Sequence, residues 1–283
     1  MVVRSLGGVD RTTRHPDRAP AYRERPSRLA GAVLWTRTVT GHDRVAPVLP
    51  DGCIDLIWRA GVLVVAGPDT TAFRPNVPIG TTYAGIRFFP GAGPALLGVP
   101  ADELRDRRVD LDELWPSRTV RALTGRVDDA ADRTGALESV ALDRAAEAGP
   151  PDPLLARIVA AMDSGISVAA TAERTGVNTR LLYRRSLTAF GYGPKTLARI
   201  LRLQRAVAMA RTGVSPADTA ADAGFADQAH LSREVRELAG MSLGQLLASS
   251  SGDTPPSGSA GTQPSRAQNT QPSRAQNTQP SGA

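Results

Sequence analysis

Cysteine is almost missing from this sequence: among 283 residues only Cys53 is one. No intrachain disulfide can form, and a cysteine-rich zinc site is excluded. A lone thiol points to a cytosolic redox setting. Aromatic residues make up only 4%, too few for the stacking surfaces of a single-strand nucleic-acid binder. The three histidines, His15, His42 and His230, fall in unrelated segments, which argues against a histidine metal cluster. No cofactor is expected. No apolar run approaches the roughly 18 residues of a spanning helix. The arginine-bearing N-terminus lacks the apolar stretch of a signal peptide. The expectation is a cytoplasmic protein with no membrane partner. What is present is 41% hydrophobic residues, enough for a packed core, and a net charge of +6. That balance suits a polyanionic partner without proving one.

Composition divides the chain. Residues 1–20 are rich in Arg, Pro and Thr and read as unstructured. Residues 21–116 read as a β-rich domain. "AGAVLWTRTVT", "CIDLIWRA", "VLVVAG" and "YAGIRFF" are short β-branched and aromatic runs, separated by turn signals such as "LPDG" and "AGPDT". Their spacing suggests a small barrel or sandwich. "PGAGPALLGVPADELRDRRVDLDELW" reads as helical, with Leu96, Leu97, Leu104, Leu111 and Leu114 packing inward. Residues 117–151 read as a connector of one or two helices. The tail, 249–283, carries TQPSRAQN twice in succession; it has too little apolar surface to offset ordering entropy and is expected to be disordered. The predicted fold class is α+β, a β-rich domain followed by an all-α domain.

That all-α domain is expected over 152–248, as seven helices. Two segments in it share one design. "SVAATAERTGVNTRLLYRR" and "SPADTAADAGFADQAHLSREVR" each run from a short alanine-rich helix through Gly176 or Gly224 to Val177 or Phe225, a capping residue and a second helix. This is the pattern of a helix-turn-helix. Ala172 and Ala220 let two helices approach, the glycine closes the first helix in a left-handed conformation, and the apolar residue plugs the corner. Leu182 in one unit, and Leu231, Val235 and Leu238 in the other, should face inward. A major groove admits one α-helix and offers edges that suit Arg, Gln and Asn. The domain holds 12 lysine and arginine residues against 8 acidic ones. Phosphate affinity must therefore come from clustering and from helix N-termini.

"DTAADAGFADQAHLSREVRELAGMSLGQLL" and "FGYGPKTLARILRLQRAVAMA" resemble the second unit and the linker helix of the AraC/XylS-type DNA-binding domain. The likeness spans residues 152–247, about a third of the chain. It implies base readers at Arg180, Tyr183 and Arg184 in the first unit. In the second unit it implies Gln228, Ala229, His230 and Arg233. The sequence departs from the family pattern at Ser186, where a buried aromatic is usual, at Leu243 in place of a proline, and at Leu246 in place of an aromatic. "LPDGCIDLIW" and "VAGPDT" resemble, more faintly, a β-rich domain of undefined ligand that precedes such modules in many bacterial regulators. The resemblance implies double-stranded DNA as partner, with a small-molecule effector, a homodimer and, for an activator, RNA polymerase as further partners.

No catalytic set emerges. Cys53 reads as a buried structural thiol; the DNA-repair methyl acceptors that carry an AraC-type domain need a four-cysteine zinc site. Asp51 and Asp55 flank Cys53, and Asp51 fits a Pro-Asp-Gly turn. "FPGAGPALLG" lacks the Lys and Ser/Thr of a phosphate-binding loop. The chain is expected not to be an enzyme. The alternative to a DNA reader is a small-molecule-binding protein whose helical domain makes protein contacts. A third reading, an N-terminal enzyme tethered to a DNA reader, has no residue set behind it.

Overall fold

The computed structural model describes residues 22–39 and 47–249. The segment 1–20, the TQPSRAQN repeats, His15 and His42 lie outside the described residues.

The N-terminal strands form one antiparallel sheet: β1 (Tyr22–Pro26), β2 (Ala32–Thr38), β3 (Ile54–Arg59), β4 (Val62–Ala66), β5 (Thr82–Phe88) and β6 (Arg108–Asp110), in the order β1-β2-β5-β3-β4-β6. The four apolar runs of the sequence are β2 to β5. β1 and β6 are the edges, and the sequence hid both. "YRERP" has no apolar alternation, and "RVD" is a three-residue strand inside a segment that reads as helical. Alternation along the strands sorts the side chains onto two faces. Leu34, Leu56, Val65 and Ile86 are almost fully buried on one face. They pack against short helices α1 (Gly93–Leu97), α2 (Ala101–Leu104) and α3 (Leu111–Leu114), and against α4 (Ser117–Asp128) and α5 (Arg133–Ala148). Of the leucines expected to pack here, all but the half-buried Leu114 are buried.

Seven helices follow: α6 (Pro153–Asp163), α7 (Val168–Thr175), α8 (Thr179–Phe190), α9 (Pro194–Arg211), α10 (Pro216–Ala223), α11 (Gln228–Ala239) and α12 (Leu243–Ser249). Their starts are written in side-chain caps. Ser167, Asn178, Ser215 and Asp227 each accept a hydrogen bond from the backbone N–H three residues on. α9 serves two cores. Its first half sends Leu197 and Ile200 into the core of α6 to α8, and its second half sends Leu203, Ala206 and Val207 into the core of α10 to α12.

The sheet and the helices meet directly. Gln204 Nε2 donates to the Pro50 carbonyl at 2.7 Å. The Ala72 N–H donates to the Leu238 carbonyl at 2.7 Å, and Arg105 donates to the Gly191 carbonyl at 3.2 Å. Leu49 packs against the second helical core.

Candidate nucleic-acid interface and adjoining cavity

α7–α8 and α10–α11 are two copies of one unit. The first helices correspond at an offset of 48 residues, from Ser167 to Ser215 and from Gly176 to Gly224. The second helices correspond at 49, from Asn178 to Asp227 and from Gly191 to Gly240, because the second turn holds one residue more. Both first helices end on the left-handed glycine, with φ of 73° and 82°. Leu182, Leu231, Val235 and Leu238 are buried, as their inward phase requires.

That phase leaves the N-terminal halves of α8 and α11 open. Arg180, Tyr183 and Arg184 are exposed on α8, as are Gln228, Ala229 and Arg233 on α11. Under the offset of 49, Arg184 and Arg233 occupy the same place. Tyr183 is open on one side only; its ring lies against Gly193, where an added Cβ would come within 2.6 Å of it. His230 is half-buried and partly structural. Its Nδ1 accepts the Ala226 N–H at 3.2 Å, and its ring meets Phe225 edge-on. This engagement leaves Nε2 as the ring's donor.

Two sets of arginines in the helical region stand apart, while Arg185 on α8 pairs with Asp152. Those of α9 are tied inward: Arg199 to Glu234 and Glu237, Arg202 to Glu234, Arg205 to Asp163. Burial alone would raise the Glu234 carboxyl. The hydrogen bonds and charges of Arg199 and Arg202 overcome that and hold it below the usual carboxylate range. Arg180, Arg184, Arg233 and Arg236, by contrast, are exposed and form no ion pair with described residues. Arg236 lies one turn beyond Arg233. The implied reader set omits it, although its helical spacing from Arg233 was visible in the sequence.

Among the described residues, the helices that pack directly on the sheet lie on its first face, and the second face is free of them. It floors a cavity of about 410 Å³ that Gln204 and Arg211 of α9 help to line. The strand register arranges this floor in rows. One row reads Val33, Arg87, Asp55, Ala66, Arg108; the next reads Glu24, Trp35, Gly85, Ile57, Val64, Asp110; the last reads Tyr22, Arg37, Tyr83, Arg59. Gly85 is required by close approach: a Cβ there would stand 2.3 Å from the Trp35 indole, which lies across it. The indole N–H turns down to Asp55 Oδ1 at 2.6 Å, and Tyr22 stacks beside the ring.

Charge in the first row is internally matched. Arg87 reaches Asp55 at 3.2 Å and Asp51 and Glu24 at 3.8 Å. Burial opposes the Arg87 charge, and Asp55 and Asp51 more than reverse that, holding it protonated well above its usual range. Burial pushes the Asp55 carboxyl up, against the opposing pull of Arg87 and the Trp35 N–H. Asp51 accepts the Cys53 N–H in its turn, as the Pro-Asp-Gly pattern suggests, and it also joins Asp55 beside Arg87. Cys53 is buried, and burial raises its thiol further above the usual range. Arg108 forks onto Asp69 at 2.7 and 2.6 Å and covers the Phe73 ring. The sequence reading missed the cavity. Its residues come from six strands, from the loops at 47–53 and 67–77 and from α9, and no local motif carries them.

Residues 171–249 match a family model described as a helix-turn-helix domain, and residues 30–110 match a domain of unknown function, DUF6597. No curated protein matches the chain. Among solved structures, it is similar to the C-terminal domain of AraT, a response regulator from Geobacillus stearothermophilus, at 18% identity, over 34% of this chain and 85% of that one, with a TM-score of 0.32. A probable AraC family transcriptional regulator from Rhodopseudomonas palustris CGA009 matches at 20% identity over 34% of this chain and 96% of that one, with a TM-score of 0.31. ToxT from Vibrio cholerae O395 matches at 9% identity over 82% of this chain and 99% of that one, with a TM-score of 0.43. The family match falls on the paired units, and residues 171–249 are a helix-turn-helix domain of the AraC/XylS type.

Proposed function

We propose that this protein is a sequence-specific transcription regulator that reads duplex DNA with α8 and α11, and that a small molecule bound in the sheet cavity controls it. The observation that carries the reading is the sorting of arginines. Arg199, Arg202 and Arg205 of α9 tie that helix to α11, α6 and α10, while Arg180, Arg184, Arg233 and Arg236, on the second helix of each unit, form no ion pair with described residues. Unpaired guanidinium groups on helices that fit a major groove suit guanine edges and phosphates. Tyr183, Gln228, Ala229 and the Nε2 side of His230 complete the two reading surfaces. Gln204 and Arg211 of α9 line the cavity, so an occupant would touch the helix that joins the two readers. The domain boundaries that follow are a sheet unit over 21–116, a helical connector over 117–151 and the reader over 152–248.

The test is selection of the full chain on randomised duplex DNA at two salt concentrations. An enriched bipartite motif, with half-elements about one helical turn apart, is expected. Arg233→Ala should lose about 1–3 kcal/mol on one part of the motif and relax preference there. Arg236→Ala should weaken all sequences alike and flatten the salt slope. Association without enrichment, lost evenly with salt, would overturn the reading.

A further inference from the structure

We infer that the cavity takes a small organic acid: a flat apolar body lying on Trp35, with its anionic oxygen group held between Arg37 and Arg59. The inference rests on the cavity being the effector site and assigns its chemistry.

The three rows of the floor differ in what they leave available. In the first row the charges are already matched. Asp55 is claimed by Arg87 and the Trp35 N–H, Asp51 by Arg87 and the Cys53 N–H, and Asp69 by both arms of Arg108. A cationic ligand entering here would have to displace an arginine from a buried pair, at large cost. The middle row is apolar at its centre. Gly85 adds no side chain, Ile57 and Val64 continue it, and the Trp35 ring lies flat across Gly85. Because the indole N–H points to Asp55, the ring turns no donor toward the cavity. That surface fits a flat apolar group better than a polyhydroxylated one.

The last row supplies the charge. Arg37 and Arg59 flank Tyr83 on the neighbouring strands, so their Cα atoms lie about 10 Å apart, two strand spacings. Guanidinium groups on stems of that length can converge on one oxyanion above the tyrosine. Neither forms an ion pair with any described residue, unlike Arg87 and Arg108. The acid on the cavity wall that lacks an ion pair with a described residue is Asp110, in the middle row on the edge strand β6. Among the described residues, the floor therefore leaves two arginines and one acid without an ion pair, and the arginines face each other across Tyr83 while Asp110 stands apart on the edge strand. A volume of 410 Å³ lies within the range of about 300–1,000 Å³ usual for small-molecule sites.

The experiment is calorimetric titration of the full chain with matched one-ring and two-ring series: benzoate and biphenyl-4-carboxylate, the corresponding phosphate monoesters, carboxamides and methylamines. The acids are expected to bind at least about tenfold tighter than the amides, and the amines not at all. The carboxylate and phosphate arms identify which anion the arginines prefer. The double variant R37Q/R59Q, which removes no hydrogen bond or ion pair among the described residues, should erase the acid preference and leave the weak amide binding. Equal binding of acids and amides, tighter binding of amines, no binding by any member, or an acid preference that survives in R37Q/R59Q would each overturn the inference. The DNA selection, run without ligand on wild type and R37Q/R59Q, separates the two readings. If an enriched motif appears and the acids fail, only the ligand class is wrong. If no motif appears, the regulator reading is wrong whatever the acids do.

Discussion

Ser186 occupies in the first unit the place Val235 holds in the second, eight residues past the helix cap in both. Both are fully buried, but the Ser186 hydroxyl has no hydrogen-bond partner among the described residues. A buried hydroxyl left unsatisfied costs about 1–3 kcal/mol of desolvation. Ser186→Ala removes that cost with the smallest change of volume, so it should raise stability by about 1 kcal/mol, read as a higher midpoint in urea at unchanged slope. A loss of stability would show that the hydroxyl is satisfied after all. The resemblance marked Ser186 as a departure, because the family pattern usually has a buried aromatic there. That the hydroxyl would be unpartnered is a matter of what surrounds it, and no spacing reports that. His230 makes the same point. Its position near the helix start was legible. Its bond back to Ala226 was not, because that bond needs the extra residue of the second turn.

At the level of elements, charge adds to the apolar packing between α9 and α11. Glu234 is buried and receives hydrogen bonds from Arg199 at 2.8 and 3.2 Å and from Arg202 at 3.1 Å. Its carboxyl is held below the ordinary 4.5 in the folded chain. A lowered carboxylate stabilises the fold fully above the unfolded value and loses that contribution as pH falls through the folded value. Acid should therefore loosen this junction below about pH 4.5. Both arginines are partly exposed, which screens the charge, so the contribution is about 1–2 kcal/mol. Urea unfolding from pH 6 downward should show wild type losing more stability than Glu234→Gln across that window, the variant being weaker at neutral pH. Parallel curves would place the acid sensitivity elsewhere. Elements such as α9 and α11 were legible because caps, terminal glycines and apolar spacing are local signals. β1 was not, because an edge strand needs no apolar alternation. β6 was not, because three residues carry too little pattern.

In the whole molecule, the sheet and the readers are pressed together where α8 ends. Gly191 closes α8 with φ of +84°, and an added Cβ would stand 2.7 Å from Pro68 Cγ and 3.0 Å from the Ala101 carbonyl. Gly224 closes α10 with nearly the same dihedral, φ +82°, but nothing lies within 4 Å of its would-be Cβ. The two glycines therefore separate backbone strain from contact between the two parts of the chain. Gly224→Ala should cost about 1–2 kcal/mol, the strain of a left-handed non-glycine residue. Gly191→Ala carries the same strain and must in addition push Pro68 and the α2 backbone away. Its loss should exceed that of Gly224→Ala, and it should loosen the contacts made across the junction. Hydrogen exchange of the Ala72 amide, which donates to the Leu238 carbonyl, reads this directly: faster in Gly191→Ala, unchanged in Gly224→Ala. Equal losses with an unchanged Ala72 amide would mean that the junction yields freely and that the sheet does not hold the readers in place. The close contact at Gly191 joins segments more than a hundred residues apart from Pro68. A sequence that marks Gly191 only as a helix end therefore gives no sign of it.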